Sequence, residues 1–301
     1  MPTVAVEGHE ISYVEEGEGP PLVLLHGGII DAGPVSWGEV VDPLSTEFTV
    51  YAPDLLGYGD SDVPDVAYTV DRHVETMAGF VDALDLDRPS VCGLSLGGAV
   101  ALGLALDTDV DVRRLVAISC FGLGRELPHG TLSYVLSRLP ILNRVAVALF
   151  RRSRRFTRAG LGGIVHDVDS LSPESVDAVQ EYAGKPNACV AFRDFRTHEM
   201  RRGGYVTDFL PRLDGLDVPT LFVHGRHDEV VPVERARQAA ERAPNARLTV
   251  LENYAHWPPR EDPEAVVELL VATADRTERG VARTALVGRS QARSSTVQSY
   301  L

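Results

Sequence analysis

Lysine is almost absent from this chain. Lys185 stands alone, and the rest of the side-chain positive charge outside histidine is arginine. Even so, cations are outnumbered, with 29 Lys+Arg against 43 Asp+Glu and a formal net charge of −14. A surface this acidic repels phosphate backbones and argues against a nucleic-acid partner. Cysteine is also scarce: Cys92, Cys120 and Cys189 are odd in number and lack the C-x-x-C spacing of a zinc or redox site. Cys92 and Cys120 lie in apolar runs, which suits buried, reduced thiols in a cytoplasmic protein, and no metal ligand set is expected. No apolar stretch approaches the ~20 residues that a membrane-spanning helix needs. The opening MPTVAVEGHE has neither the basic nor the apolar segment of a secretory signal. The expectation is a soluble, cytoplasmic protein with a small-molecule substrate, no nucleic acid and no membrane; a homodimer is compatible with it.

What is present is a repeating alternation. With 301 residues and 44% hydrophobic content, the chain can bury the core of one domain with an insertion, or of two small domains. Thr3 to Val6 and Glu10 to Val14 alternate in polarity around Glu7-Gly8-His9 and read as a hairpin. Short apolar runs follow at Leu22–Leu25, Phe48–Ala52, Ser90–Cys92, Leu115–Ser119, Thr220–Val223 and Arg247–Leu251. Runs this apolar fit parallel strands buried on both faces. Helical spacing occupies Val70–Leu84, Ala99–Leu106, Glu234–Arg242 and Pro263–Ala272, the last opening on Asp262-Pro263 at N-cap and N1. Strand and helix in alternation predict an α/β fold with a mostly parallel, doubly wound sheet. The rhythm breaks after Phe121. From there to Leu216 no strong strand pattern appears, and helix-like pieces run over Leu132–Leu139, Asn143–Arg155, Pro173–Ala183 and Ala188–Met200. The division expected is a core in two parts, 1–121 and 217–275, a helical lid at 122–216, and a flexible C-terminal tail at 276–301.

One short stretch carries the chemistry. Gly93-Leu94-Ser95-Leu96-Gly97 follows a strand and opens a helix, so Ser95 sits at a sharp turn that needs small neighbours. A second G-x-S-x-A-like match, Gly288 to Ala292, has no helix pattern or histidine after it and is set aside. A serine needs a base, and the base an orienting acid. TLFVHGRHDEVVP places Asp228 just past one strand, and LTVLENYAHWPPRE places His256 just past the next. Loops after parallel strands open on one edge of the sheet, so Ser95, Asp228 and His256 meet there. LVLLHGGII puts His26-Gly27-Gly28 after another strand on that edge. The N–H of Gly28 or Ile29 pairs with that of Leu96 as an oxyanion hole.

With LLHGG, YAPDLLGYGDSD, GLSLGGAVAL, LFVHGRHDEVVP and AHWPPREDPEAV in that order, the chain resembles the α/β-hydrolase fold family from Val4 to about Ala274. The resemblance implies a cofactor-independent serine hydrolase with the triad Ser95, Asp228 and His256. Within the family it is similar to carboxylesterases, enol-lactonases and hydrolases of meta-cleavage products. The carbon–carbon hydrolases usually carry an asparagine before the nucleophile and a Ser-Gly-Pro loop after His-Gly. Leu94 and GGIIDAG depart from both, which tilts the reading towards a small or medium carboxylic ester or lactone. Carbon–carbon hydrolysis and a slow or inert ligand receptor on the same fold are the alternatives. His227 rivals His256 as the base, and Glu229 rivals Asp228 as the acid. Trp257 and Arg193 are candidate substrate contacts, Arg196 a further one. The Arg151–Arg158 run reads as a solvated helix face.

Overall fold

The computed structural model describes residues 1–127, 140–278 and 297–300, with a few positions between 130 and 138. The chain opens with strands β1 (Thr3–Val6) and β2 (His9–Glu16), an antiparallel pair turning at Glu7-Gly8. Then β3 (Pro21–Leu25), helix α1 (Gly33–Leu44), β4 (Thr49–Pro53), α2 (Val70–Ala83), β5 (Ser90–Leu94), α3 (Leu96–Asp107) and β6 (Arg114–Ile118) alternate. After the intervening segment come β9 (Thr220–Gly225), α8 (Val233–Arg242), β10 (Ala246–Leu251), the short α9 (Pro258–Glu261) and α10 (Pro263–Glu278). Among the described residues the sheet has nine strands in the order β1-β2-β4-β3-β5-β6-β9-β10-β11, where β11 is Val297–Tyr300. The six strands from β4 to β10 are parallel, and the ends of the sheet are antiparallel.

Burial on both faces explains the uninterrupted apolar runs. Along β3, Val23 and Leu25 enter one core cluster while Leu22 and Leu24 enter the other. Leu115 and Ala117 of β6 likewise face away from Val116 and Ile118. The strand period of two thus feeds two cores from one segment. α2, α3 and α8 cover the first core, and α1 and α10 the second.

Between β6 and β9 lie α4 (Pro140–Arg152), α5 (Arg154–Leu161), α6 (Pro173–Ala183) and α7 (Val190–Glu199), then a two-stranded ribbon of β7 (Met200–Arg201) and β8 (Gly204–Tyr205). The expected Asn143–Arg155 helix is two helices, because the Ser153 side chain caps a new start by accepting the Phe156 N–H at 3.2 Å. α6 has the expected bounds, set by Ser172 as N-cap and Pro173 at N1. The small ribbon lies in a stretch without strand patterning. α1 also escapes the pattern, since Pro34 and Pro43 punctuate it like a loop. Most of the expected Leu132–Leu139 helix, the second serine motif and most of the 276–301 tail lie outside the described residues; the described parts of that tail are the end of α10 and strand β11, which pairs with β10. Among those described, no helix is long and apolar enough to cross a membrane.

Candidate active site

Ser95 joins β5 to α3 with φ +52° and ψ −111°, a conformation costing a non-glycine residue about 1–3 kcal/mol. The turn is held from both sides: the Ser95 N–H donates to Ile118 O at 2.9 Å, and Ser95 O accepts from Ala99 N and Phe121 N. The flanking glycines are required by contact. A Cβ on Gly93 would lie 2.1 Å from Gly97 O, and one on Gly97 would lie 2.2 Å from Leu25 O. Leu96 follows as the first residue of α3, so its N–H is among the donors that a helix start leaves open.

His256 and Asp228 meet beyond the ends of β10 and β9. His256 Nδ1 is 2.8 Å from Asp228 Oδ2, and both residues are buried. Asp228 Oδ1 accepts the N–H groups of Val230 and Val231 at 2.8 and 2.9 Å. Burial alone would raise the Asp228 pKa, yet the charge of His256 and the hydrogen bonds from His224 and His256 outweigh it and hold the carboxyl well below its ordinary range. His224, at the end of β9, is a partner that sequence reasoning misses. Its Nε2 lies 2.7 Å from Val231 O and 3.2 Å from Asp228 Oδ2. A histidine four residues before the acid, inside a strand, is the available signal. His227 is exposed and stacks on His166 at 4.2 Å between centroids, away from the Asp228 carboxylate. The His256 N–H donates to Ile164 O at 2.9 Å, tying its loop to the segment between α5 and α6.

The His26-Gly27-Gly28 loop is fixed through its own side chain. Leu55 N donates to His26 Nε2 at 2.9 Å, so the imidazole proton resides on Nδ1, which donates to Gly27 O at 2.7 Å. Burial pushes the His26 pKa down to about 3, against the Gly27 bond, and keeps the ring neutral. Because the Gly27–Gly28 peptide is trans, anchoring its carbonyl sends the Gly28 N–H the opposite way. The Gly27 N–H is itself taken by Asp31 Oδ2 at 2.8 Å. Ile29 adopts φ +67° and is 46% exposed.

Ser95, His256, Leu96, Gly28 and Ile29 line one cavity of about 240 Å³. Its wall is largely apolar and includes an aromatic group: Phe192 lies over Gly28, Phe192 and Phe195 stack at 6.0 Å, and Phe121 meets Phe195 and Tyr205 edge-on at 5.5 and 4.9 Å. Trp257 also lines it, but its Nε1–H is spent on Ser36 Oγ at 3.1 Å, leaving only ring surface for a ligand. Arg193, by contrast, does not line this cavity. It is exposed and borders a separate surface cavity with Arg151 and Arg152. Phe192, Phe195 and Arg196 define the inward face of α7, and at ~100° per residue Arg193 falls roughly a quarter-turn off it. Arg196 reaches the cavity, its guanidinium 5.7 Å from the Phe192 ring centre, and burial lowers its pKa.

A strained serine at a strand-to-helix turn, with a histidine and an aspartate after later strands, is the layout of one fold family, and a sequence model of the alpha/beta hydrolase fold matches residues 20–263. The chain belongs to that family. The hydrolase is 31% identical, over 90% of its own length and 90% of the relative's, to 2-hydroxy-6-oxo-6-(2'-aminophenyl)hexa-2,4-dienoic acid hydrolase of Metapseudomonas resinovorans. It is 29% identical, over 83% and 94%, to pimeloyl-[acyl-carrier protein] methyl ester esterase of Nitrosomonas europaea. The meta-cleavage product hydrolase of Pseudomonas fluorescens IP01 superposes with a TM-score of 0.78 at 24% identity, over 92% and 98% of the two chains. That likeness carries the fold.

Proposed function

We propose that this hydrolase cleaves a small or medium carboxylic ester or lactone through an acyl-enzyme, with Ser95 as nucleophile, His256 as base and Asp228 as its orienting acid. The supporting observation is the 2.8 Å contact between His256 Nδ1 and Asp228 in the same cavity wall as a strained Ser95. Ser95 Oγ attacks the carbonyl carbon while His256 Nε2 takes its proton. Leu96 and Gly28 N–H groups stabilise the oxyanion. The C–O bond breaks as His256 returns the proton to the leaving alcohol, and water activated by His256 then releases the acid. Residues 122–216 act as the cap, with Phe192, Phe195 and Tyr205 bounding the acyl group.

A second reading, hydrolysis of a carbon–carbon bond in a ring-fission product, has its own support. Arg196 is a cavity cation suited to a substrate carboxylate, and the Metapseudomonas relative is named as the hydrolase of a hexa-2,4-dienoic acid. A panel of p-nitrophenyl esters, lactones and a ring-fission diene, each run against Ser95→Ala, separates the two. Turnover of esters or lactones that vanishes in Ser95→Ala is the expected result. Turnover of the diene alone would move the assignment to carbon–carbon cleavage, and no turnover above the variant would leave a receptor.

A further inference from the structure

Gly27 is gripped on both sides. His26 holds its carbonyl, and Asp31 Oδ2 accepts its N–H. The remaining acceptor capacity of Asp31 is also used, by Ala32 N at 2.8 Å and by the Ser36 hydroxyl at 2.9 and 2.8 Å from its two oxygens. Ser36 Oγ in turn accepts Trp257 Nε1–H at 3.1 Å, and Trp257 is the neighbour of His256. A continuous hydrogen-bonded chain, Trp257–Ser36–Asp31–Gly27, therefore spans from the loop of the base to the loop of the second oxyanion donor. Every bond to Asp31 has the carboxylate as acceptor, and the residue is 7% exposed on the cavity wall. An ordinary loop has no need of a buried carboxylate saturated in this way, since a buried charge is costly.

We propose that Asp31 is a positioning residue, which acts through Gly27 to keep the Gly28 N–H aimed at the developing oxyanion and is itself oriented by Ser36 and Trp257. This role rests on the hydrolase reading and asks more of it: the oxyanion hole is built from a side-chain relay as well as from backbone. In the Asp31→Asn variant the side chain would keep its shape, but one acceptor oxygen becomes an NH2 group facing a donor. That donor is the N–H of Gly27 or of Ala32, and in either orientation the clamp on the loop is loosened without the site being emptied. Loss of a whole oxyanion donor costs ~10²–10³ in kcat, and a misaimed one should cost less, about 10- to 100-fold.

The test measures kcat and KM for a p-nitrophenyl ester in wild type, Asp31→Asn, Ser36→Ala and Trp257→Phe, together with inhibition by a phenylboronic acid that adds to the serine. Asp31→Asn is expected to lose kcat by about 10- to 100-fold with KM within about twofold, and boronate affinity should fall in parallel. Ser36→Ala and Trp257→Phe should shift kcat the same way by less. Folding is checked by melting at pH 8. Burial pushes Asp31 up to about 7 against its hydrogen bonds and Arg260, so its ionised form is the destabilised one. Arg260 of α9, Tyr58 and Tyr182 interact electrostatically with it, the tyrosines pushed up and neutral, and Lys185, Cys189 and His256 line the cavities it borders. Asp31→Asn removes a destabilised charge and also one buried hydrogen bond, so a single cooperative melting transition, wherever its midpoint falls, is the sign that the variant folds. Wild-type kcat in Asp31→Asn and Trp257→Phe, or a loss confined to KM, would overturn the proposal alone. A wild-type enzyme with neither turnover nor fluorophosphonate labelling of Ser95 would remove the hydrolase reading and this one with it.

Discussion

Asp228 meets two imidazoles on a single oxygen, His256 Nδ1 at 2.8 Å and His224 Nε2 at 3.2 Å. A carboxylate that only had to orient His256 would need the first. The second, with two backbone N–H groups on the other oxygen, fixes the carboxylate plane and keeps it ionised in a buried setting. A carboxyl whose folded pKa is depressed stabilises the fold above its unfolded value of about 4, and that stability is lost as pH falls. His224→Phe retains ring volume but removes the donor, so the depression shrinks. The variant should melt several degrees below wild type at pH 7, with the gap narrowing as pH falls below about 4. A gap that stays constant across pH would mean that His224 merely packs.

At the scale of elements, Arg260 of α9 binds three of them together. Its guanidinium donates to Pro34 O at 2.7 Å and to Val35 O at the start of α1, and to Glu39 Oε1 of α1 at 2.6 Å. The same Glu39 oxygen accepts the hydroxyls of Ser172 and Ser175, both at 2.7 Å, at the N-terminus of α6. Glu39→Ala would strand a guanidinium whose side chain is 3% exposed and release the start of α6. A loss of about 3 kcal/mol in urea unfolding is expected, with faster limited proteolysis between α5 and α6. Loss below about 0.5 kcal/mol would place this cluster among ordinary surface ion pairs. Such clamps show where sequence reasoning stops. α6 is legible because its cap is local: Ser172 and Pro173 announce it. Ser95, Asp228 and His256 are legible because each follows an apolar strand, and parallel strands deliver their loops to one edge. α1 is obscured by its own prolines. Arg260 is invisible for another reason, that its partners Pro34, Val35 and Glu39 are distant in sequence and brought near only by the fold. Asp31 and His224 bond to near neighbours in the chain, but residue order does not say that a loop turns their side chains back onto those neighbours. Arg193 and Arg196 look alike in the sequence, because residue type is written there and helix phase against the cavity is not.

For the molecule as a whole, the excess of carboxylates sets a field. A formal charge of −14 repels an incoming anion before the cavity's Arg196 can attract it. Raising ionic strength from about 0.01 M to about 0.15 M contracts the screening length from ~30 to ~8 Å. The kcat/KM for a p-nitrophenyl hemiester that carries a free carboxylate should therefore rise about twofold or more, while that for a neutral acetate ester stays flat. Equal responses would mean that local charge at the mouth outweighs the global field.

The bond from the His256 N–H to Ile164 O crosses between the core and the segment that supplies the cavity's aromatic wall. The cavity wall and the seating of His256 are thereby inherited as one piece. Exchanging the 122–216 segment for that of a relative would import a foreign carbonyl beneath the histidine along with a new wall. Recombination that seeks new specificity in this scaffold thus has a structural junction to respect. A graft that keeps the loop around Ile164 native should retain turnover that a full exchange forfeits.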